Sequence, residues 1–211
     1  MHIAQRTLRL INGFVKSYGP VNIKRVLWDK EYSGNKWNFA DNTVGDCVYS
    51  HLERHVENGR ILDLGCGSGN TANEMSARAY ESYVGVDISD ICLQKAIKRS
   101  EKNGRTNKNR FAQADLLSYV PEQQFNVILF RESMYHVPLG KIKPMLHRYS
   151  RYLRDGGVFI VRLNTTDGVI ARNKHRPTAM VGVIESEFDV VEKRQYGKAG
   201  PTVIVFRPGR P

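Results

Sequence analysis

Apolar residues change between two spacings along the chain, and the change predicts alternating strands and helices. Short continuous apolar runs are typical of buried strands, whereas apolar residues at every third or fourth position indicate helices. The predicted strands cover residues 60–64, 83–87, 110–114, 125–130, 158–161, 188–191 and 203–206. Helical spacing occupies 71–80, the segment that Ser89 caps and the segment 139–153, which Gly156 and Gly157 are expected to end.

Strand–helix alternation followed by a terminal hairpin indicates an α/β fold. Consecutive parallel strands need a crossover connection, which a helix usually supplies. We therefore expect an open, mostly parallel sheet with an antiparallel edge formed near the C-terminus.

Residues 1–40 differ from the rest and are predicted to form a helical and aromatic extension, with the main domain at 41–211. An amphipathic surface helix is indicated by Ile3, Leu8, Ile11, Phe14 and Val15. A transit peptide is the alternative, because no acidic residue precedes Asp29. The extension also carries a cluster of aromatic residues, Trp28, Tyr32, Trp37 and Phe39. We expect this cluster to pack on the domain as a lid over its site, although it has an equal claim to a purely structural role.

Length and composition fit one globular domain. The chain has 211 residues, of which 41% are hydrophobic and 25% are charged. No apolar run approaches the roughly 20 residues that a membrane span needs. The cysteines, Cys47, Cys66 and Cys92, suggest neither a disulfide framework nor a metal site. We expect a cytoplasmic protein.

The formal net charge of +11 is concentrated in residues 121–180, which hold ten basic and four acidic residues. A basic face indicates an anionic partner such as nucleic acid, an acidic glycan or a membrane surface. The alternative is a solvated surface that maintains solubility. The basic residues concerned are Lys141, Lys143, Arg148, Arg151, Arg154, Arg162, Arg172, Lys174 and Arg176.

The strongest chemical signal is the glycine-rich run at 63–70, which follows a predicted strand and precedes a predicted helix. Glycine lets the backbone approach a ligand closely, and the helix N-terminus offers free N–H groups. The third glycine comes one position too early for a dinucleotide fingerprint, and there is no Walker lysine. The run therefore argues against NAD, FAD and ATP. Asp63, at the mouth of the loop, has a carboxylate that can orient a bound cation or water.

Two further carboxylates follow the next two predicted strands. Asp87 ends the second strand, where its carboxylate can accept hydrogen bonds from both hydroxyls of a ribose. Asp115 follows the third strand and can accept from an exocyclic adenine amine, although a helix N-cap is the alternative.

The order of these motifs resembles that of the class I S-adenosylmethionine-dependent methyltransferases. The resemblance covers residues 41–207 and rests on the runs DLGCGSGN, VGVDIS, AQADLL, FNVILF and LRDGGVFIV. It implies a Rossmann-like three-layer sandwich with a seven-stranded sheet and an antiparallel last strand. It also implies that S-adenosylmethionine is the cofactor and S-adenosylhomocysteine the product.

The resemblance assigns expected roles to the cofactor-binding residues. Gly65, Gly67 and Gly69 would face the methionine part of the cofactor, while Asp87 would bind the ribose and Asp115 the adenine amine. Leu116 would lie along the adenine ring. The expected cofactor-binding set is completed by Asp63, Cys66, Ile88 and Arg131.

The segment 131–138 is expected to bind the acceptor. It lacks the [DN]-P-P-[YF] run of amino-directed nucleic-acid methyltransferases and looks like the small-molecule branch. His136 is a candidate general base, because its unperturbed pKa lies near neutrality. Packing or capping is its alternative role. Glu132 is a second candidate base or a substrate ligand, and Tyr135 is expected to line the acceptor pocket.

No metal is expected. His51 and His55 stand four residues apart, but they lack a third ligand, and an amphipathic helix explains them better. Arg131 and Arg162 follow the fourth and fifth strands, where metal-dependent catechol-type enzymes carry carboxylates.

The sequence therefore predicts methyl transfer by in-line displacement to an oxygen or nitrogen of a small molecule, anionic or sugar-like in character. A methyltransferase acting on RNA or protein is the first alternative, suggested by the net charge. A non-catalytic module that binds the cofactor is the second.

Overall fold

The protein is described from a computed structural model that covers residues 2–34, 37, 41–164, 175–198 and 200–209. Its centre is one seven-stranded sheet with helices on both faces, which confirms the predicted α/β class. The predictions made for Phe39, Arg172 and Lys174 lie outside the described residues.

Six of the strands run in one direction and the last runs against them. The order across the sheet is β3-β2-β1-β4-β5-β7-β6. Strands β1 to β5 pair in parallel, and β7 is antiparallel to both of its neighbours. The predicted hairpin thus forms the antiparallel edge, with β6 outermost. The strands are β1 (Arg60–Leu64), β2 (Ser82–Asp87), β3 (Asn109–Gln113), β4 (Phe125–Arg131), β5 (Leu153–Asn164), β6 (Phe188–Gln195) and β7 (Pro201–Pro208).

The helices of the described chain cover both faces of the sheet and one end of it. They are α1 (His2–Tyr18), α2 (Val21–Ser33), α3 (Val48–Val56), α4 (Asn70–Glu74), α5 (Asp90–Lys102), α6 (Leu139–Ser150) and α7 (His175–Glu187), with a 3-10 turn at Met134–His136. None of these helices has the combination of length and apolar character that crossing a bilayer would require.

Strand β4 shows how the sequence builds two cores. Its side chains alternate, so that Ile128 and Phe130 pack with α6 and α7 on one face. Val127 and Leu129 pack with α3 on the opposite face. A continuous apolar run is what a central strand with both faces buried requires.

Two predicted boundaries were wrong. Helix α4 stops at Glu74, because Met75 is extended (ψ 162°) and the Ser76 N–H donates to Glu53 Oε1 at 2.8 Å instead of to the Ala72 carbonyl. That carbonyl accepts from the Tyr80 hydroxyl at 3.0 Å. Helix α6 stops at Ser150, and β5 already begins at Leu153. The glycine pair belongs to β5, where Gly156 has a φ of +75° beside an irregularity in the pairing with β4. These glycines therefore form a bulge rather than a helix end.

Candidate functional site

A cavity of about 510 Å³ lies at the carboxyl ends of β1, β2 and β4, beneath α1 and α2. The strand order reverses between β1 and β4, which is the position where open parallel sheets bind ligands. The volume is within the usual range of small-molecule sites. This cavity gathers most of the predicted site residues into one place.

The glycine loop forms one wall of the cavity. Gly65 has a φ of +85°, and a Cβ added there would meet the Ser133 Cβ at 2.3 Å. Gly67 has a φ of +54° and faces the Tyr32 hydroxyl, 3.2 Å from the position of an added Cβ. Both positions require glycine because they combine a left-handed backbone with a close approach.

Other residues of this loop differ in their placement. Cys66 lines the cavity, and burial raises the pKa of its thiol well above the ordinary value. Gly69 does not line the cavity. It precedes α4, and a Cβ there would collide with Ala96 of α5 at 2.7 Å. Gly69 therefore packs against α5, and its predicted contact with the cofactor stays a prediction.

Asp87 lies where β2 ends and is fixed by backbone donors. Gly67 N–H donates to its Oδ2 at 2.9 Å, and Ser89 N–H donates to its Oδ1 at 3.0 Å. Burial raises the pKa of this carboxyl, although these hydrogen bonds oppose the shift. Asp87 and the adjacent Ile88 both line the cavity, so the carboxylate keeps lone pairs available to a ligand.

Asp115 has a partner that the motif analysis did not predict. Its Oδ1 accepts from the Leu117 N–H at 2.8 Å, in the manner of a cap, while its Oδ2 forms a buried ion pair with Lys24 of α2. Leu116 and Leu117 line the same part of the cavity. The predicted adenine region is thus also the place where α2 contacts the domain.

Asp63 presents a buried carboxylate oxygen that makes no hydrogen bond within the described part of the chain. The Tyr83 hydroxyl donates to its Oδ2 at 2.6 Å, whereas its Oδ1 is the unpartnered atom. Burial raises the pKa of Asp63 to about 6. A buried oxygen of this kind is costly unless a cation or donor binds it, and Asp63 lines the cavity.

The far end of the cavity holds a network of arginines and carboxylates. Arg131 and Arg162 are register partners on β4 and β5, and both pair with Asp46, at 3.0 Å and 3.4 Å. Arg162 also pairs with Glu132. Burial alone would raise the pKa of Asp46, but the two guanidiniums outweigh it and lower the pKa.

Glu132 combines backbone strain with burial. Its φ of +56° is rare for a residue with a side chain and costs on the order of 1 kcal/mol or more. Burial raises its pKa despite the ion pair with Arg162. Such outliers persist where the surroundings over-determine them, and they concentrate at functional sites.

His136 and Trp28 face each other across the cavity mouth, edge to face, with ring centroids 4.6 Å apart. Tyr135, in contrast, is 6% exposed in the core, and its hydroxyl donates to the Asn164 carbonyl at 2.8 Å. It is not among the residues that line the cavity, and the expectation that it lines the acceptor pocket stays a prediction. The 3-10 turn at Met134–His136 separates successive side chains by about 120°, so Met134 and Tyr135 lie in the core while His136 lines the cavity.

Aromatic and basic residues of the extension form the roof of the cavity. Trp28, Tyr32 and Trp37 all line it. Lys16 reaches in from α1, with its Nζ 3.5 Å from the centroid of the Trp28 ring and 2.5 Å from Glu31. Sequence reasoning found the aromatic residues but missed the lysines, because nothing in their local spacing marks them.

The histidine pair of α3 lies away from the cavity. His51 Nε2 is 2.7 Å from the Tyr196 hydroxyl, and its Nδ1 is 3.2 Å from Glu192. Within the described ranges, no three histidine, cysteine or acidic residues are grouped as metal ligands. His51 therefore joins α3 to β6 and the residues that follow it.

The sheet order, the glycine loop after β1 and the acidic residue ending β2 together define the class I S-adenosylmethionine-dependent methyltransferase fold. Residues 39–185 match the family described as a methyltransferase domain, and the chain belongs to that family.

The curated relatives align with this chain over only part of their length. A sterol 24-C-methyltransferase of Aspergillus fumigatus is 26% identical over 137 residues, which is 60% of this chain and 36% of that protein. An mRNA cap guanine-N(7) methyltransferase of Cryptococcus neoformans is 28% identical over 134 residues, covering 56% of this chain and 21% of that protein. The chain therefore spans between a fifth and two fifths of the length of these relatives.

Solved structures agree on the fold. The N-methyltransferase NodS of Bradyrhizobium japonicum, in complex with S-adenosyl-L-homocysteine, superposes with a TM-score of 0.62. The match is 16% identical and covers 82% of this chain and 92% of that one. Similarity at this level shows the fold alone.

Proposed function

We propose that this chain binds S-adenosylmethionine in the cavity and transfers its methyl group to an oxygen or nitrogen of a small molecule. The observation that carries the proposal is the unpartnered Asp63 oxygen in a cavity whose wall also includes the left-handed backbone at Gly65 and Gly67. Family membership supports the reaction class.

The residues present fit this cofactor. Asp63 supplies an acceptor for its ammonium group, and the backbone at Gly65 and Gly67 permits close contact with its methionine part. Asp87 accepts from the ribose hydroxyls, and Asp115 retains lone pairs for the adenine amine. Cys66, Ile88, Leu116 and Arg131 complete the wall around it.

When bound, S-adenosylmethionine supplies a methyl group already activated by a sulfonium. The chain therefore needs chiefly to orient the acceptor and exclude water. Trp28, Tyr32 and Trp37 cover the cavity and exclude water. His136 is the proposed base for an acceptor proton, and Glu132, on the same loop, is the second candidate.

We infer that the extension, residues 1–40, acts as a lid over the cavity of the 41–211 domain. Lys24 joins it to Asp115, and the Ser89 hydroxyl donates to Asp29 of α2 at 2.6 Å. Both contacts reach residues beside the proposed cofactor site, so lid position and cofactor binding are expected to be coupled.

A small-molecule acceptor is favoured over RNA by the placement of the basic residues. Arg148 donates to the Leu116 and Tyr119 carbonyls, Arg162 lies in the cavity, and Arg176 donates to the Val137 carbonyl. These three side chains serve local contacts, which removes them from any cationic surface, whereas Lys141, Lys143, Arg151 and Arg154 remain exposed. The aromatic roof suits a sugar-like acceptor. Arg131 and Arg162 already pair with Asp46 and Glu132, so an anionic acceptor would rely on their Nε–H donors, which have no partner among the described residues.

The test is transfer of a labelled methyl group to a panel of small hydroxyl and amine acceptors, with RNA as a comparison. Turnover of at least one small acceptor is expected, with His136→Ala lowering turnover while leaving cofactor affinity unchanged. Tight cofactor binding without transfer to any acceptor would favour the non-catalytic module. Transfer to RNA alone, with steep salt dependence, would favour the nucleic-acid alternative.

A further inference from the structure

Helix α1 presents its apolar side to solvent. Leu10, Ile11, Phe14 and Tyr18 are between 53% and 63% exposed. Their spacing places them on one side of the helix, which we call the outer face of α1. The Phe14 and Tyr18 rings stack with centroids 4.8 Å apart, so the face is continuous over at least this turn.

Two polar residues in the last turn of the same helix point inward. Lys16 and Ser17 are 7% and 8% exposed, and Lys16 is held between Glu31 and the Trp28 ring above the cavity. A surface helix of a soluble domain normally buries its apolar side. Residues 10–18 of α1 do the reverse, and an exposed apolar patch of this kind is typical of an interaction surface.

Helix α2 continues the pattern. Val21 and Val26 are exposed there, at 50% and 63%. Arg25 is 48% exposed and lies 3.7 Å from Asp29, and Lys30 is also exposed. Exposed apolar and cationic side chains therefore share this end of the molecule.

The charge of the chain favours one of the partners that could cover the outer face of α1. No acidic residue precedes Asp29, and the chain as a whole carries a net charge of +11. A second copy related by two-fold symmetry would bring the same basic surroundings against themselves. An anionic lipid surface complements both the apolar face and the surrounding charge, as it does for interfacial amphipathic helices.

We propose that the outer face of α1, with the adjoining exposed side of α2, docks this protein on an anionic lipid surface. Helix α1 lies in the headgroup region with Leu10, Ile11 and Phe14 inserted. Its inward side, with Lys16, stays on the cavity roof. The docked face and the cavity are thus opposite sides of the same helical layer.

The test is flotation of the full chain with vesicles of phosphatidylcholine alone and of equal parts phosphatidylcholine and phosphatidylglycerol. We expect binding to the mixed vesicles, weakened by high salt and much weaker on the neutral vesicles. The double variant Ile11→Ser/Phe14→Ser should lower the partition coefficient by about tenfold or more. A matched control, Val190→Ser/Val191→Ser, removes exposed valines from β6 and should bind like the wild type.

Arg25→Glu provides a second variant that leaves the apolar residues in place and should weaken binding to the mixed vesicles only. Absence of wild-type binding would overturn the proposal, as would equal binding by the double variant or equal binding to neutral vesicles. A concentration-dependent dimer that Ile11→Ser/Phe14→Ser abolishes, without vesicle binding, would assign the face to a second copy instead.

Discussion

The backbone at Gly65 and Gly67 shapes one wall of the cavity. Gly65 and Gly67 adopt left-handed conformations, and both have another residue close to where a Cβ would stand. The Gly67 N–H also fixes the Asp87 carboxylate, so the loop and the acidic residue form one unit. Residue identity at these positions therefore affects both the packing of the loop, through Ser133 at Gly65, and the wall of the cavity.

Gly67→Val should abolish cofactor binding while the protein stays folded. The added side chain would strain a backbone with φ of +54° and enter the space beside Tyr32. Gly104→Val is the matched control, because Gly104 has a φ of +64° with nothing within 4 Å of an added Cβ. Titration calorimetry and circular dichroism measure the two effects. Retained affinity in Gly67→Val would contradict the proposed position of the methionine part.

Motif reasoning located the residues that follow the strands but not those that reach the site from elsewhere. Asp63, Gly65 and Asp87 lie in the cavity because strand ends in a parallel sheet share one edge. Lys24 and Asp46 meet the site through contacts between segments far apart in sequence. Spacing along the chain carries no information about such contacts, so the sequence did not reveal them.

The N-terminal helices are joined to the domain by polar contacts at its ligand-binding edge. Lys24 pairs with Asp115, and Asp29 accepts from Ser89. Both contacts are made by α2, which also packs on α5. This element is therefore attached where the proposed cofactor site lies, rather than through the outer face of α1.

Lys24→Met should loosen α1 and α2 without unfolding the sheet. The change leaves the Asp115 carboxylate buried without its cation, which is a costly arrangement. Amide exchange in α1 and α2 is expected to be about tenfold faster or more, with β1 and β4 unchanged. Lys30→Met, on the exposed side of α2, is the matched control. Equal protection in both variants would show that the ion pair does not hold the lid.

The boundary between α6 and β5 shows where the local sequence pattern gives a wrong prediction. The glycines at Gly156 and Gly157 look like a helix end, yet they lie inside β5. A Cβ at Gly157 would stand 2.9 Å from the Arg154 carbonyl oxygen, so glycine is required there by strand pairing and bulge geometry. Helix ends and β-bulges both favour glycine, so only the pairing of β5 with its neighbouring strands distinguishes the two.

At the scale of the whole molecule, the site lowers the stability of the fold. Asp63, Asp87 and Glu132 are all carboxyls whose pKa values are raised by burial around one cavity. Keeping them ionised near neutral pH costs free energy that a cationic ligand can offset. The unliganded protein is therefore expected to lose stability as these groups ionise.

For Asp63, the direction in which pH changes the free energy of unfolding can be measured. Its pKa is about 6 in the folded protein against an ordinary value of 3.8, so between these pH values the folded state binds more protons. The free energy of unfolding therefore falls as pH rises through this window. Asp63→Asn should remove the fall, gaining on the order of 3 kcal/mol relative to the wild type by pH 7.

Urea unfolding of the two proteins across the window measures this difference. Asp155→Asn, at an exposed carboxylate of β5, is the control and should track the wild type. Parallel curves for Asp63→Asn and the wild type would contradict the assignment of the raised pKa to Asp63.

Calorimetric titration of S-adenosylmethionine and S-adenosylhomocysteine, with NAD as the control ligand, tests the central claim most directly. We expect micromolar binding of the first two, no binding of NAD, and binding about tenfold weaker or more by Asp87→Ala, which loses a charged acceptor. Absence of binding by the wild type would contradict the assignment of the cavity. Unchanged affinity in Asp87→Ala would contradict the role proposed for the end of β2.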